Sequence, residues 1–411
     1  MTANAAMSAR KTCTRNTGTP NASTRNTSLD VLRGAAVALM ILVNNPGTWT
    51  ALFPPLAHAP WHGCTPTDLV FPFFLFAVGN ALALAMPGLQ SGSTAAFWRK
   101  VAKRTVLIFA IGVLLNFSPF VRWDAQGELV ARSWETLRLM GVLQRIALAW
   151  GASAVIVWLW GERGAWWATT VLLLGYWWAC LALAAGSDPY SIEGFFGTPL
   201  DRALLGSAHL YKGEGVPFDP EGLASTLPAV AQVLLGYLAG AYLHRNRVDS
   251  ELVVRLFVAA CAALALAYFW QLAMPLNKKL WTSSYVMHST GLALMLLALL
   301  LVAIELRGQR QGGQPRGAWV GFFEVFGKNA LFVFVLSGFV PRVLGLVRWA
   351  DGLDAMGQPR FISPLPWVYR NVFEPFFNDA RFSSLLYALA NLGCYWLLAR
   401  ALDRRGVYIR V

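Results

Sequence analysis

The stretch Leu56-Ala57-His58-Ala59-Pro60-Trp61-His62-Gly63-Cys64-Thr65-Pro66-Thr67-Asp68-Leu69-Val70-Phe71-Pro72 is a short polar loop between two strongly apolar segments. Thr65-Pro66-Thr67-Asp68 reads as a helix start, with Thr65 as N-cap, Pro66 at the first helical position and Asp68 completing a capping box. Capping alone accounts for Asp68; a carboxylate there can equally fix the tautomer of a nearby imidazole. His58 is then a titratable ring at a membrane boundary and a candidate catalyst. Taken alone it reads as a solvated loop histidine, and His62 is an equal candidate by chemistry. Pro60 and Gly63 suit a turn that aims a ring inward. Pro72 removes a backbone bond beside the site and predicts a bend.

Outward from this loop the chain is overwhelmingly apolar. Of 411 residues, 56% are hydrophobic and 13% charged, 18 are tryptophan, and the mean hydropathy is +0.48. That much apolar surface is not tolerated in water, so the sequence predicts an all-α polytopic membrane protein with the lipid bilayer as partner. The net charge of +13 does not indicate nucleic acid, because Lys and Arg are scattered through short connections and form no reader motif. Cysteines at 13, 64, 180, 261 and 394 include no CxxC pair, and neither disulfides nor a metal site are expected. There is no P-loop, no GxGxxG and no GxSxG elbow, which leaves NTP-driven transport and serine-hydrolase chemistry without support.

Residues 1–27 lack an apolar core and read as a disordered cytoplasmic tail, and 28–411 as one transmembrane domain. About ten apolar runs are long enough to cross a bilayer. They lie near 33–53, 66–87, 103–120, 138–160, 165–185, 224–244, 253–274, 284–306, 319–345 and 382–402. Arg99, Lys100, Arg163, Arg245, Arg247, Arg307, Arg310 and Arg316 fall in alternate connections, while Arg404, Arg405 and Arg410 follow the last run. Positive charge marks those faces, and both termini, as cytoplasmic, with the His58 loop outside.

Several polar residues sit where apolar ones are expected. Asn44 and Asn45 near the outer end of the first run need partners, which helix–helix hydrogen bonding supplies. Arg138 and Arg145 lie two turns apart with Gln144 adjacent; Arg138 can snorkel, whereas a membrane-embedded Arg145 marks a functional site. Asp219 and Glu221, rigidified by Pro220, suit sugar hydroxyls or an amine proton, or else cap the following helix. Trp281 offers a flat face for a sugar ring, and Asn277 and Lys278 offer donors. Lys328, inside the ninth run, suits an anionic cofactor or pairs with Glu324.

Five segments in order resemble the heparan-α-glucosaminide N-acetyltransferase family over roughly residues 28–411. They are the His-Ala…Asp-Leu-Val-Phe-Pro loop, Leu-Asp-Val-Leu-Arg-Gly at 29–34, Gly-Val-Leu-Gln-Arg at 141–145, Asp-Pro-Glu-Gly at 219–222 and the Asn-Lys…Leu-Trp…Ser-Tyr string from 277. The resemblance implies a bacterial-type transmembrane enzyme of the inner (plasma) membrane that moves acetyl from cytoplasmic acetyl-CoA to the amine of a glucosamine-like sugar outside. It makes His58 the catalytic residue, as general base or acetyl carrier, with Asn44 and Asp68 beside it. It implies Arg33, Lys328 and Arg145 toward the cofactor, and Asp219, Glu221, Asn277, Lys278, Trp281 and Gln144 toward the sugar. A homodimer is compatible with it. The alternatives from the residues alone are an amino-sugar permease, such as one for N-acetylglucosamine, and an O-acyltransferase for envelope glycans.

Overall fold

The computed structural model describes residues 27–124, 126–310, 317–353 and 357–409. The expected tail up to residue 26 lies outside them, as do Arg316 and Arg410. Helix α1 (Thr27–Asn44) leads into the polar loop, and α2 (Val70–Gln90) follows a 3-10 turn, Pro66–Leu69, closed by the Thr65–Asp68 capping box. Pro72 lacks the N–H that would bond the Asp68 carbonyl four residues back. That carbonyl accepts from the Tyr285 hydroxyl instead, at 2.6 Å. Helix α3 (Thr94–Phe117) starts at Ser93, whose side chain accepts from Ala96 N.

Helix α4 (Val142–Ala182) has 41 residues and breaks at Gly161, whose φ of 61° is readily adopted only without a Cβ. Helices α5 (Gly197–Leu205), α6 (Leu223–Arg245), α7 (Ser250–Trp270) and α8 (Ser283–Leu300) follow, and α8 runs through a π segment into α9 (Arg307–Arg310). Helices α10 (Ala318–Lys328) and α11 (Ala330–Leu344) meet at 78° across Asn329. The short α12 (Pro364–Val368) and long α13 (Ala380–Arg404) complete the bundle. Two antiparallel hairpins, β1 (Val121–Trp123) with β2 (Leu129–Ala131) and β3 (Trp349–Leu353) with β4 (Pro359–Ile362), lie in the connections.

The chain is thus a multi-pass helical membrane protein, and the ten expected apolar runs all fall on its helices. Among the described residues seven helices are long and apolar enough to span, or eight if the bent α10–α11 pair is one span, against the ten expected. Two of the ten are the halves of α4. Helix α3 carries Arg99, Lys100, Lys103 and Arg104 in its first half, so it is long enough but too charged to count.

The centre is the α2–α6 crossing. A Cβ on Gly79 would strike the Val233 carbonyl, and one on Gly236 the Phe76 carbonyl, so two glycines let these backbones touch. Around them α1, α4, α8 and α10 complete an apolar core. Lipid-side surface is equally plain: Val258 and Phe269 on α7 and Trp166, Trp167 and Trp178 on α4 all expose more than half their area, Trp167 reaching 72%.

Candidate active site

The polar loop after α1 is pinned from both sides. Gly63 N donates to the Leu276 carbonyl at 2.8 Å, Lys279 Nζ to the Pro60 carbonyl at 2.8 Å, and Trp61 Nε1 to the Tyr190 carbonyl at 2.8 Å. This holds His58 over the start of α2. His58 Nδ1 lies 2.7 Å from Asp68 Oδ1, with the ring part-exposed and the carboxylate buried. Asp68 Oδ2 accepts from Ala59 N, Thr65 N and Thr65 Oγ1 at 3.0 to 3.1 Å. One carboxylate therefore performs both roles that the sequence offered, capping the helix and holding the imidazole.

Lys278 reaches the same place from the turn before α8. Its Nζ lies 3.0 Å from His58 Nδ1 and 3.4 Å from Asp68 Oδ1. Burial pulls its ammonium below the usual lysine value, against the opposing pull of Asp68 and Glu221. Asn277, fully buried, spends its Oδ1 on Leu280 N and sets Nδ2 3.4 Å from His62 Nδ1. Trp281 corrects the expectation of a sugar platform. Its φ of 55° turns the indole inward, 1% exposed, against Phe71, Tyr285 and the Arg145 guanidinium. Cys64, also near, is no thiolate nucleophile, since burial pushes its thiol up to about 12.

Asp219 and Glu221 do not stand open to solvent. Arg138 grips both, at 2.6 and 2.9 Å to Asp219 and 2.5 Å to Glu221. Burial opposes ionisation of Glu221, yet Arg138, Arg145 and Lys278 outweigh it and hold the carboxyl below its ordinary value. These carboxylates do not cap α6; the buried Asp201 does, accepting from Leu223 N at 3.0 Å. Arg145, expected at the cofactor, is fully buried under this loop, donating to the Pro220 carbonyl at 2.6 Å and to Ser225 Oγ. The sequence placed it by depth, but its Nη2 reaches the loop before α6 and that helix's first turn.

Two cavities lie along the seam formed by α1, α3, α4 and α11. One, of about 390 Å³, is lined by Asn44, Asn116, Arg138, Gln144, Ser337 and Arg342 among others. Asn44 and Asn45 both line the cavity, and Asn45 donates to its own helix at the Ile41 carbonyl; Gln144 donates to the Leu139 carbonyl. His58 is not among its lining residues; Arg138 lines the cavity and holds Asp219 and Glu221. The other cavity, of about 440 Å³, lies toward the start of α1, with Arg33, Arg104 and Lys328 on its wall. Its lining at Ile108, Ile146 and Leu331 comes within about a turn of Gly112, Leu143 and Phe334 in the first. The sequence reading missed Arg104 on one cavity and Asn116 and Arg342 on the other, placements that no spacing reveals.

The class defined by this fold and site is a polytopic helical membrane protein with a histidine–carboxylate–lysine cluster and two polar cavities between its helices. Comparison with known proteins agrees with the motif resemblance. Residues 25–122 match a family model described as a domain of unknown function, DUF5009. The chain is similar to human heparan-alpha-glucosaminide N-acetyltransferase, 27% identical over 363 residues that cover 75% of this chain and 52% of that protein. The mouse protein of the same name is also 27% identical, with the same coverage. The chain spans about half the length of these curated relatives.

Proposed function

We propose that the protein is a transmembrane N-acetyltransferase. It takes acetyl from acetyl-CoA at the α1-start end, read as cytoplasmic from its basic connections, and delivers it to the amine of a glucosamine-like sugar at the His58 face. The observation that carries this reading is the 2.7 Å His58–Asp68 pair, with Lys278 Nζ 3.0 Å from the same ring. Similarity to the named N-acetyltransferases supports the reaction type, and the apolar helices support a multi-pass membrane location.

In this reading Asp68 holds a proton on Nδ1, which leaves the Nε2 lone pair for the sugar's amine. Attack of the amine nitrogen on the acetyl carbon forms the amide as the C–S bond breaks. Of the two protons the ammonium gives up, one goes to the departing sulfur and one to solvent through His58. Arg33 and Lys328 face the cavity where the cosubstrate's phosphates enter; Asn44 and Gln144 face the cavity nearer the reaction. Arg138 keeps the Asp219–Glu221 loop closed beside them.

The test is acetyl transfer from radiolabelled acetyl-CoA to glucosamine by purified protein in nanodiscs. Wild type forms N-acetylglucosamine, and His58→Ala loses at least about 10²-fold in turnover. Sustained transfer by His58→Ala overturns the proposal, as does uptake of labelled amino sugar into vesicles that lack acetyl-CoA with no acetylated product.

A further inference from the structure

We propose that the cavity at the α1-start end is a phosphate site whose anchoring residue is Arg104. Three cations line that cavity, and two are already engaged. Arg33 donates to Asp30 Oδ1 at 2.8 Å and to the Gly327 carbonyl at 2.9 Å. Lys328 lies 3.0 Å from Asp403 and 3.5 Å from Glu324. Arg104 differs: among the described residues it has no carboxylate partner, its Nε is buried without a hydrogen bond, and its guanidinium lies over the Trp150 ring at 4.4 Å. The charge that acts on it most is Arg33, of the same sign.

A guanidinium inside an apolar bundle beside another cation is costly unless an anion completes the site. The Trp150 face offsets part of that cost but leaves every N–H of the fork unanswered. The Arg104 guanidinium, with its open Nε donor and a second cation beside it, matches a phosphate, which accepts several hydrogen bonds and carries more than one charge. The cavity is far larger than one phosphate, and much of its wall is apolar, from Phe74, Val78, Ile108 and Ile146. The ligand is therefore a phosphate carried on a larger, partly apolar body, either a nucleotide-type cosubstrate or a phospholipid headgroup. In the first case the inference deepens the acetyltransferase reading and rests on it; in the second it stands apart.

Binding, not turnover, tests it. The probe for the first source is adenosine 3′,5′-bisphosphate, the nucleotide half of acetyl-CoA, titrated calorimetrically into full-length protein in a phosphate-free maltoside detergent. Arg104→Gln should weaken binding at least about tenfold and Arg104→Lys less, with a salt dependence that shrinks in Arg104→Gln. The probe for the second source is dioleoylphosphatidylglycerol added to the same detergent, read as a rise in Tm. An Arg104-dependent rise with no nucleotide binding assigns the site to lipid. Should Arg104→Gln fold poorly, Arg104→Lys and the salt series carry the comparison. Nucleotide and lipid responses that are both equal in wild type and the Arg104 variants overturn the proposal. Arg104-dependent nucleotide binding without any acetyl transfer would sink the enzymatic reading and leave the phosphate site standing.

Discussion

Lys278 Nζ and His58 Nδ1 stand 3.0 Å apart while both approach Asp68 Oδ1, so a lysine and an imidazole share one carboxylate oxygen. Nδ1 cannot donate to Asp68 and accept from Lys278 at once. Whichever proton arrangement holds, Lys278 acts on the histidine itself and is more than a remote sugar contact.

Lys278→Met should therefore act on the chemical step. The expected outcome is a fall of about tenfold in kcat with the sugar KM changed less than about threefold. Steady-state kinetics decide it: a raised KM with intact kcat would return Lys278 to the role of a sugar-hydroxyl donor.

Asp68 has two separable duties. Asp68→Asn should cost about 10²-fold or more in turnover through the lost imidazole partner. It should also cost roughly 1 kcal/mol of stability through the weakened cap. Thr65→Val, which keeps the His58 contact, should show mainly the stability loss in a detergent melt. Equal activity loss in both would tie catalysis to loop order and not to the His58–Asp68 pair.

Arg138 neutralises the buried Asp219 and the part-buried Glu221. Arg138→Leu should destabilise the fold by roughly 3–5 kcal/mol, because it strands both Asp219 and Glu221. A denaturant or thermal series checks this, and rescue by the triple replacement with Asp219→Asn and Glu221→Gln distinguishes stranded charge from lost packing. No rescue would mean that packing dominates.

Asp201 gives a pH signature. Burial is the main cause that raises its carboxyl from an ordinary 3.8 to about 6, against the N–H bonds of Ala224 and Leu223. A raised folded-state value means that its contribution to stability is full below 3.8 and lost as pH climbs through about 6. The Tm of wild type relative to Asp201→Asn should accordingly fall as pH rises across that window. A constant difference between pH 4 and pH 7 would show that Asp201 does not titrate there.

Sidedness follows from the basic connections. On a cysteine-free background, Ser91→Cys and Ala57→Cys should react with a membrane-impermeant maleimide from opposite faces, with Ala57 outside. Labelling of both from one face would invert the proposed route of the acetyl group.

The sequence alone determined the solvent of this protein and the local devices. Apolar runs require a bilayer whatever their packing, and a Thr-Pro-Thr-Asp start caps a helix because its partners lie within three residues. It also brought His58 into view through a loop whose limits are set by hydropathy. Only the tertiary structure decided what meets across long separations in the chain: Lys278 on His58, Tyr285 on the carbonyl that Pro72 leaves unbonded, Arg138 on Asp219. The Trp281 ring, a sugar platform by residue type, became core because the turn's positive φ sends it inward, which no composition rule conveys. Arg145 and Arg104 make the same point in opposite directions. Both are arginines in apolar helices, but Arg145 places one nitrogen on the Pro220 carbonyl and the Ser225 hydroxyl, leaving Nε and Nη1 without partners, while Arg104, among the described residues, meets only an indole and another cation. Which charge is satisfied depends on neighbours supplied by other helices, and helix packing, unlike helix formation, is not a local property of the chain.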